Sequence, residues 1–199
     1  MEMGAIREED LGANKFLLGY TKEIPRRLIR CLNDSGVRYY IQHEPDSNML
    51  VQESVDLVGF VHTAVIRAGK QRILAVVPDG CDIDLKKFGT LIGEPARLET
   101  EDEFKWLFPD CALAAVPPFG NLYGLATWLD SSLTETAEIS FLAGTLIDAI
   151  KLSYSDYAEV VGPRIGKFGA NSGRRRAHPS NLRERRTTIG ESASVRRVS

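Results

Sequence analysis

Residues 61–78, VHTAVIRAGKQRILAVVP, decide the fold. Two runs of β-branched and aliphatic residues, 62–68 and 72–77, flank the turn pair Gly69-Lys70, which is the pattern of a β-hairpin, and Pro78 ends the second strand. Upstream, 23–35 places Ile24, Leu28, Ile29 and Leu32 on one helical face, with Pro25 near the first turn and Gly36 as the stop. Residues 37–41 then read as a short strand ending at His43, and 51–60 is apolar but carries no decisive period. Downstream, Asp82 or Asp84 caps a helix through Leu85, Phe88, Leu91 and Ile92, closed by Gly93 and Pro95. A short strand is expected at 96–99. Thr100 and Glu103 form a capping box for a brief helix through Trp106 and Leu107, stopped by Pro109. Strands follow at 122–129 and 138–142. Ser153 caps a last helix with Asp156 in its first turn and Tyr154, Tyr157, Val160 and Val161 on the buried face. The alternation predicts one α/β (α+β) domain over 21–163, a central mixed β-sheet flanked by helices, with an N-terminal extension at 1–20.

The composition fits that reading. The chain has 199 residues, 43% hydrophobic and 26% charged, enough for one compact core plus appendages, and it excludes disorder throughout, collagen and coiled coil. No uncharged apolar run approaches the roughly 18 residues that a membrane span requires, and the start MEMGAIREED lacks the basic flank and apolar stretch of a signal peptide. The expectation is a soluble cytoplasmic protein without membrane attachment. Three widely spaced cysteines, Cys31, Cys81 and Cys111, fit neither a disulfide framework nor a zinc site, so reduced thiols are expected.

A net charge of −2 conceals an asymmetry: residues 164–199 hold 10 Lys and Arg against 2 Asp and Glu, whereas 1–163 hold 15 against 25. The basic segment is rich in Ser, Arg and Gly and lacks a hydrophobic period, so it is expected to be a disordered tail, unfolded from about Gly166. Such a tail attracts polyanions by releasing their counterions, and RNA is the partner it would contact. The plainer reading is a solubilising or phosphorylatable tail.

Generic signals of chemistry are few. No GxxxxGK[ST], GxGxxG, HExxH or GxSxG occurs, and His43, His62 and His178 are too far apart in sequence to make a local metal motif. His43, at a strand end, reads as a satisfied surface or core histidine. His62 opens a strand beside small and polar residues, yet the residues alone favour a structural role there too. The unusual stretch is CALAAVPPFG at 111–120, whose adjacent prolines remove two backbone donors and force an extended, rigid loop.

The succession of a helix before GVRYYIQHEP, the hairpin, DIDLKKF, FPDCALAAVPPFGNLYGLATWLD, EISFLAGT and SYSDYAEVV resembles the YbaK/EbsC family of aminoacyl-tRNA editing domains, also known as the prolyl-tRNA synthetase-associated domain family. The resemblance spans about 24–162, and 108–130 is its most specific part. It implies a YbaK-like domain that hydrolyses the ester of mischarged tRNA, with no metal or organic cofactor, with tRNA as partner and with an aminoacyl-tRNA synthetase as a candidate associate. It implies a catalytic group at His62 and substrate contacts at Thr63, Ala114, Pro117, Pro118, Phe119, Gly120, Asp130, Gly144, Thr145 and Leu146. The 111–120 loop would supply backbone N–H groups to the developing carbonyl anion.

The sequence departs from the family pattern at three places. His62 stands where family members carry a lysine, Ala114 where they carry the glycine of a GxxxP element, and Leu146 where a histidine often follows the AGS or AGT element. An ammonium is a permanent cation at neutral pH, whereas an imidazole with its ordinary pKa near 6.5 is mostly uncharged. Two readings stay open: a trans-acting aminoacyl-tRNA deacylase in which His62 replaces the lysine, and a catalytically degenerate binding or regulatory module for tRNA or a synthetase.

Overall fold

The computed structural model describes residues 23–43 and 59–171. Helix α1 (Arg26–Asp34) leads into β1 (Tyr39–His43). From Gly59 onward come β2 (Val61–Ala68), β3 (Gln71–Pro78), β4 (Cys81–Ile83), α2 (Leu85–Ile92), β5 (Ala96–Leu98), α3 (Glu101–Phe104), β6 (Ala126–Asp130), β7 (Glu138–Leu142), β8 (Asp148–Ser153), α4 (Tyr154–Val161), β9 (Arg164–Gly166) and β10 (Gly169–Asn171). A five-stranded sheet runs β5-β2-β3-β6-β9, a three-stranded sheet β1-β8-β7, and β10 pairs with β4. The larger sheet is mixed: β5, β2 and β3 are antiparallel neighbours, and β3, β6 and β9 are parallel.

The hairpin forms as its sequence dictates, with Val61 paired to Pro78 and Ala68 to Gln71. Asp84 caps α2 by accepting the Lys87 N–H at 3.0 Å, the Thr100–Glu103 capping box opens α3, and the Ser153 hydroxyl accepts the Asp156 N–H at 3.1 Å to open α4. Helix α1 and the sheets enclose the main core, where Leu28 and Leu32 meet Val76, Phe119, Leu129, Ile139, Phe141, Ile150 and Tyr157. On the other face of the hairpin, Ile66, Ile73, Ala75 and Val77 pack on Phe88 of α2 and on Phe168.

Three expectations need correction. Residues 122–129 are not one strand: a 3-10 turn covers Gly120–Tyr123, Gly124 takes a left-handed φ of 69°, and β6 begins only at Ala126. Strand β8 was not foreseen, although it is the middle strand of its sheet. The fold also runs past Gly166 into segments expected to be unfolded. The Asp130 carboxylate accepts the N–H groups of Phe168 at 2.8 Å and Gly169 at 2.6 Å, and the fully buried Phe168 ring meets Phe88 edge-on at 4.9 Å. One carboxylate and one aromatic ring thus provide the burial and hydrogen bonding that composition did not reveal. The 1–20 extension, residues 51–58, His178 and the tail beyond 171 lie outside the described residues. Among the described residues no helix is long and apolar enough to cross a membrane.

Candidate functional site

The 111–120 loop is held from four directions. Cys111 N–H donates to Phe108 at 3.1 Å, and Ala112 N–H donates to the Gly144 carbonyl at 2.8 Å. A 3-10 turn over Leu113–Ala115 follows, and Gly144 N–H returns a bond to the Ala115 carbonyl at 2.9 Å. The Thr63 hydroxyl, from β2, donates to the Val116 carbonyl at 2.8 Å. The Tyr157 hydroxyl, from α4, donates to the Pro118 carbonyl at 2.8 Å, and Gly120 N–H donates to Thr127 Oγ1 of β6 at 3.1 Å. Gly120 is irreplaceable on space alone, because a Cβ there would sit 2.6 Å from Thr127 Oγ1 and 2.8 Å from the Leu125 carbonyl oxygen. Gly144 has a φ of 87°, and a Cβ there would run into the Pro25 ring.

The residues before the loop brace it. Arg27 pairs with Asp110 at 2.7 Å and lies 4.9 Å over the Tyr123 ring. The Tyr123 hydroxyl sits 3.1 Å from Cys111 Sγ and donates to Asp110 at 3.3 Å. Burial, then the hydrogen bond to Cys111, pushes the Tyr123 phenol above its ordinary range, so it stays protonated at physiological pH.

The structure sorts the sequence-derived site residues into two sets. Pro117, Pro118, Phe119 and Gly120 are buried, and Phe119 stacks against Phe141 and Tyr157 at 5.4 and 5.6 Å. Gly144 and Thr145 are buried as well, and Asp130 has all its acceptor capacity directed at Ser132, Phe168 and Gly169. These seven shape the scaffold. His62, Thr63 and Leu146 are partly accessible and Ala114 is exposed. In the strand register His62 faces across to Val77 and Thr63 to Val76, so the two adjacent side chains serve opposite surfaces of β2. Phe60, two residues earlier, clusters with Ala112, Ala115, Leu142 and Ala149, against which Leu146 packs.

Ala114 stands in the 3-10 turn, and among the described residues no side-chain-bearing residue has a positive φ, so its methyl imposes no backbone strain. The N–H groups of Cys111, Ala112, Ala115, Phe119 and Gly120 are engaged within the protein. Leu113 and Ala114 open the turn, where backbone donors have no acceptor inside it. Beside them lies a cavity of about 190 Å³ bordered by Thr63, Glu99, Phe104, Leu113 and Val116. Its volume suits a small acyl group rather than a whole nucleotide. Glu99 is buried there between Arg67 at 2.7 Å and Arg72 at 2.8 Å.

A constellation that sequence reasoning missed joins β1 to β8. His43 and Asp148 are cross-strand partners, with Nδ1 of His43 2.6 Å from Oδ1 of Asp148. The Thr145 hydroxyl donates to Oδ2 of Asp148 and accepts the Asp148 N–H at 2.9 Å. Because a carboxylate accepts, Nδ1 carries the proton, and Nε2 of the half-exposed imidazole is left for other partners. The T-x-x-D spacing of Thr145 and Asp148 was the available signal, but pairing it with His43 requires β8. Among the described residues no group of three His, Cys, Asp or Glu is gathered for a metal ion.

Comparison with solved structures gives the fold. A protein proposed as a trans-editing enzyme for prolyl tRNA synthetase is 23% identical, with a TM-score of 0.62 over 73% of this chain and 96% of that one. The hypothetical protein APE2540 is 16% identical, with a TM-score of 0.65 over 73% of this chain and 100% of that one. A protein from Marinobacter aquaeolei VT8, proposed to act in signal transduction, is 14% identical, with a TM-score of 0.63 over 89% of this chain and 38% of that one. No curated protein matches the sequence significantly. The family model of the aminoacyl-tRNA editing domain matches residues 48–160, a span that holds β2, the 111–120 loop, the Gly144 turn and nearly all of α4. The chain therefore belongs to the aminoacyl-tRNA editing domain family.

Proposed function

We propose that the protein is a trans-acting aminoacyl-tRNA deacylase of the YbaK type, hydrolysing the ester that joins a wrong amino acid to tRNA. One observation carries the reading: the turn at Leu113–Ala115 is locked by Gly144 and Thr63 while the N–H groups of Leu113 and Ala114 remain outside that locking, beside a cavity of acyl size. Those two donors take the ester carbonyl oxygen and stabilise the charge it gains. His62, on the side of the strand where Phe60 packs against Ala112 and Ala115 of the loop, is the group that takes a proton from the attacking water. The resulting hydroxide adds to the carbonyl carbon. Collapse of the tetrahedral intermediate breaks the bond to the ribose oxygen, which receives the proton back from the imidazolium, releasing free amino acid and tRNA. Mischarged tRNA is the substrate in the cytoplasm, a synthetase is the natural associate, and the Arg-rich segment beyond Asn171 adds affinity for RNA.

Single-turnover deacylation of tRNAs charged with alanine, cysteine, serine and threonine tests this, with His62→Ala and His62→Lys alongside. The expected result is hydrolysis by the natural protein and its loss in His62→Ala. Folded protein that binds tRNA yet hydrolyses none of the four esters would establish the binding-module reading instead.

A further inference from the structure

Helix α1 is covered on one side only. Leu28 and Leu32 enter the main core, and Arg27 turns toward Asp110 and the Leu122 carbonyl, at 2.7 and 3.3 Å. Arg26, Ile29, Arg30 and Asn33 follow the i, i+3, i+4 and i+7 spacing of a single helical face, and with Ile24 and Asp34 they border a groove of about 360 Å³. Every residue bordering it belongs to α1 or to its lead-in, so no other described element covers it. Its floor is apolar, because Ile24 and Ile29 are only half-buried and pack on the core from one side. Its rim is cationic: Arg26 and Arg30 are exposed one turn apart, and among the described residues neither has an ion-pair partner. Asp34 supplies the one negative charge, at the far end, where the Tyr39 hydroxyl ties Asn33 to β1 at 2.9 Å.

We propose that this groove is the docking site of the chain's own residues 15–20, KFLLGY, laid back along α1 as an extended strap. Residues 1–22 precede the described part and join it at Glu23, next to Ile24, which itself borders the groove. Such a tether holds the segment at an effective concentration on the order of millimolar, so modest contacts suffice. The lengths match: the nine residues of α1 rise about 13 Å, and residues 16–20 in extended form cover about 16 Å. Extended backbone puts Phe16, Leu18 and Tyr20 on one side, an apolar row for Ile24 and Ile29. Running antiparallel to the helix, the strap sets Lys15 at the Asp34 end. The acidic triplet Glu8-Glu9-Asp10, beyond the turn formers Gly12 and Asn14, then returns toward Arg30 and Arg26. Each charge of the groove thereby meets its opposite, whereas the Arg-rich residues beyond 171 would set like charges against the rim. The strap bears on the loop as well. It presses on the helix whose Arg27 braces Asp110 and whose lead-in residue Pro25 fills the space beside Gly144.

Hydrogen–deuterium exchange of the full-length protein, read peptide by peptide, tests this, with Leu18→Asp and the double variant Arg26→Glu/Arg30→Glu alongside. Exchange at 16–20 should be slower by about tenfold than in an unstructured peptide of the same sequence, and both variants should abolish that protection. Arg26 and Arg30 are exposed, so the double variant folds, and unchanged exchange in β2 and β3 verifies it. Adding Glu8→Arg and Glu9→Arg to the double variant should restore the protection, because the charges are opposite again. Free exchange at 16–20 in the natural protein, protection that both variants leave intact, or absence of rescue by the reversed pair overturns the docking. Sedimentation over a dilution series separates the remaining occupant: protection that disappears together with a dimer gives the groove to a second copy and also overturns it. The assay contains no tRNA, so its outcome does not depend on the ester chemistry.

Discussion

Replacing Asp130 with Asn changes little in shape and removes one acceptor and a charge from a knot of four donors. The carboxylate accepts Ser132 N–H at 3.0 Å and its hydroxyl at 2.6 Å on one oxygen, and Phe168 and Gly169 N–H at 2.8 and 2.6 Å on the other. An amide presents NH₂ to one of these pairs, so two donors lose their acceptor in a residue only 4% exposed. With an orphaned buried donor costing about 1–3 kcal/mol, the loss of acceptors for two of them should remove about 2–6 kcal/mol of unfolding free energy, measured by urea denaturation. The loss should also depend on pH. Burial pushes the Asp130 carboxyl up, but the bonds from Ser132, Gly169 and Phe168 together outweigh it and hold the group below its ordinary 3.8. A depressed folded pKa contributes stability that is complete above 3.8 and fades as pH falls through the folded value. The gap between the natural protein and the Asp130→Asn variant should therefore be constant near neutrality and close in acid. A difference under about 1 kcal/mol at neutral pH, or one that persists undiminished in strong acid, would refute the assignment of Asp130 as the fastener of β10.

Gly144→Ala should cost about 2–4 kcal/mol, from a left-handed backbone and a methyl forced into the Pro25 ring, with deacylation falling at temperatures where the fold survives; unchanged stability in a denaturant series would mean the turn relaxes freely. If His62 acts as the base, single-turnover rates should rise from acid toward alkaline pH, because only the uncharged imidazole accepts a proton; a fall in that direction would make it a cation, and a flat profile would remove it from the mechanism. Truncation after Asn171 should leave the melting temperature in place, weaken tRNA binding and flatten its dependence on salt, since it deletes eight of the ten cationic residues of 164–199; identical salt slopes would make the segment irrelevant to RNA.

Local signals were legible where a single residue type dictates geometry. The hairpin, the Asp84 and Ser153 caps and the Thr100–Glu103 box each depend on a few neighbouring residues, and each forms as read. What escaped depends on partners distant in sequence. Gly124 breaks the 122–129 run because Gly120 must approach Thr127 and Leu125 closely, which no period encodes. Strand β8 has short apolar alternation that only its neighbours β1 and β7 make decisive. Residues 164–171 are poor in apolar side chains, and their order comes from Asp130 and Phe88, contributed by other elements. Among the site residues, the sequence could mark the prolines and glycines as special but could not separate those that build the loop from those that face outward. His43 looked inert for the same reason, its Asp148 partner being 105 residues away.

The clamps on the 111–120 loop bear on the order of folding. Thr63 reaches Val116 across 53 residues, and Tyr157 reaches Pro118 across 39. Closing such long loops is entropically expensive and falls late among the events of folding. A nascent chain lacking α4 holds the prolines and the turn sequence but not the Tyr157 hydroxyl that fixes them. The geometry of the loop is thus withheld until the C-terminal part of the domain has docked, so an incomplete chain carries the loop sequence without its locked form.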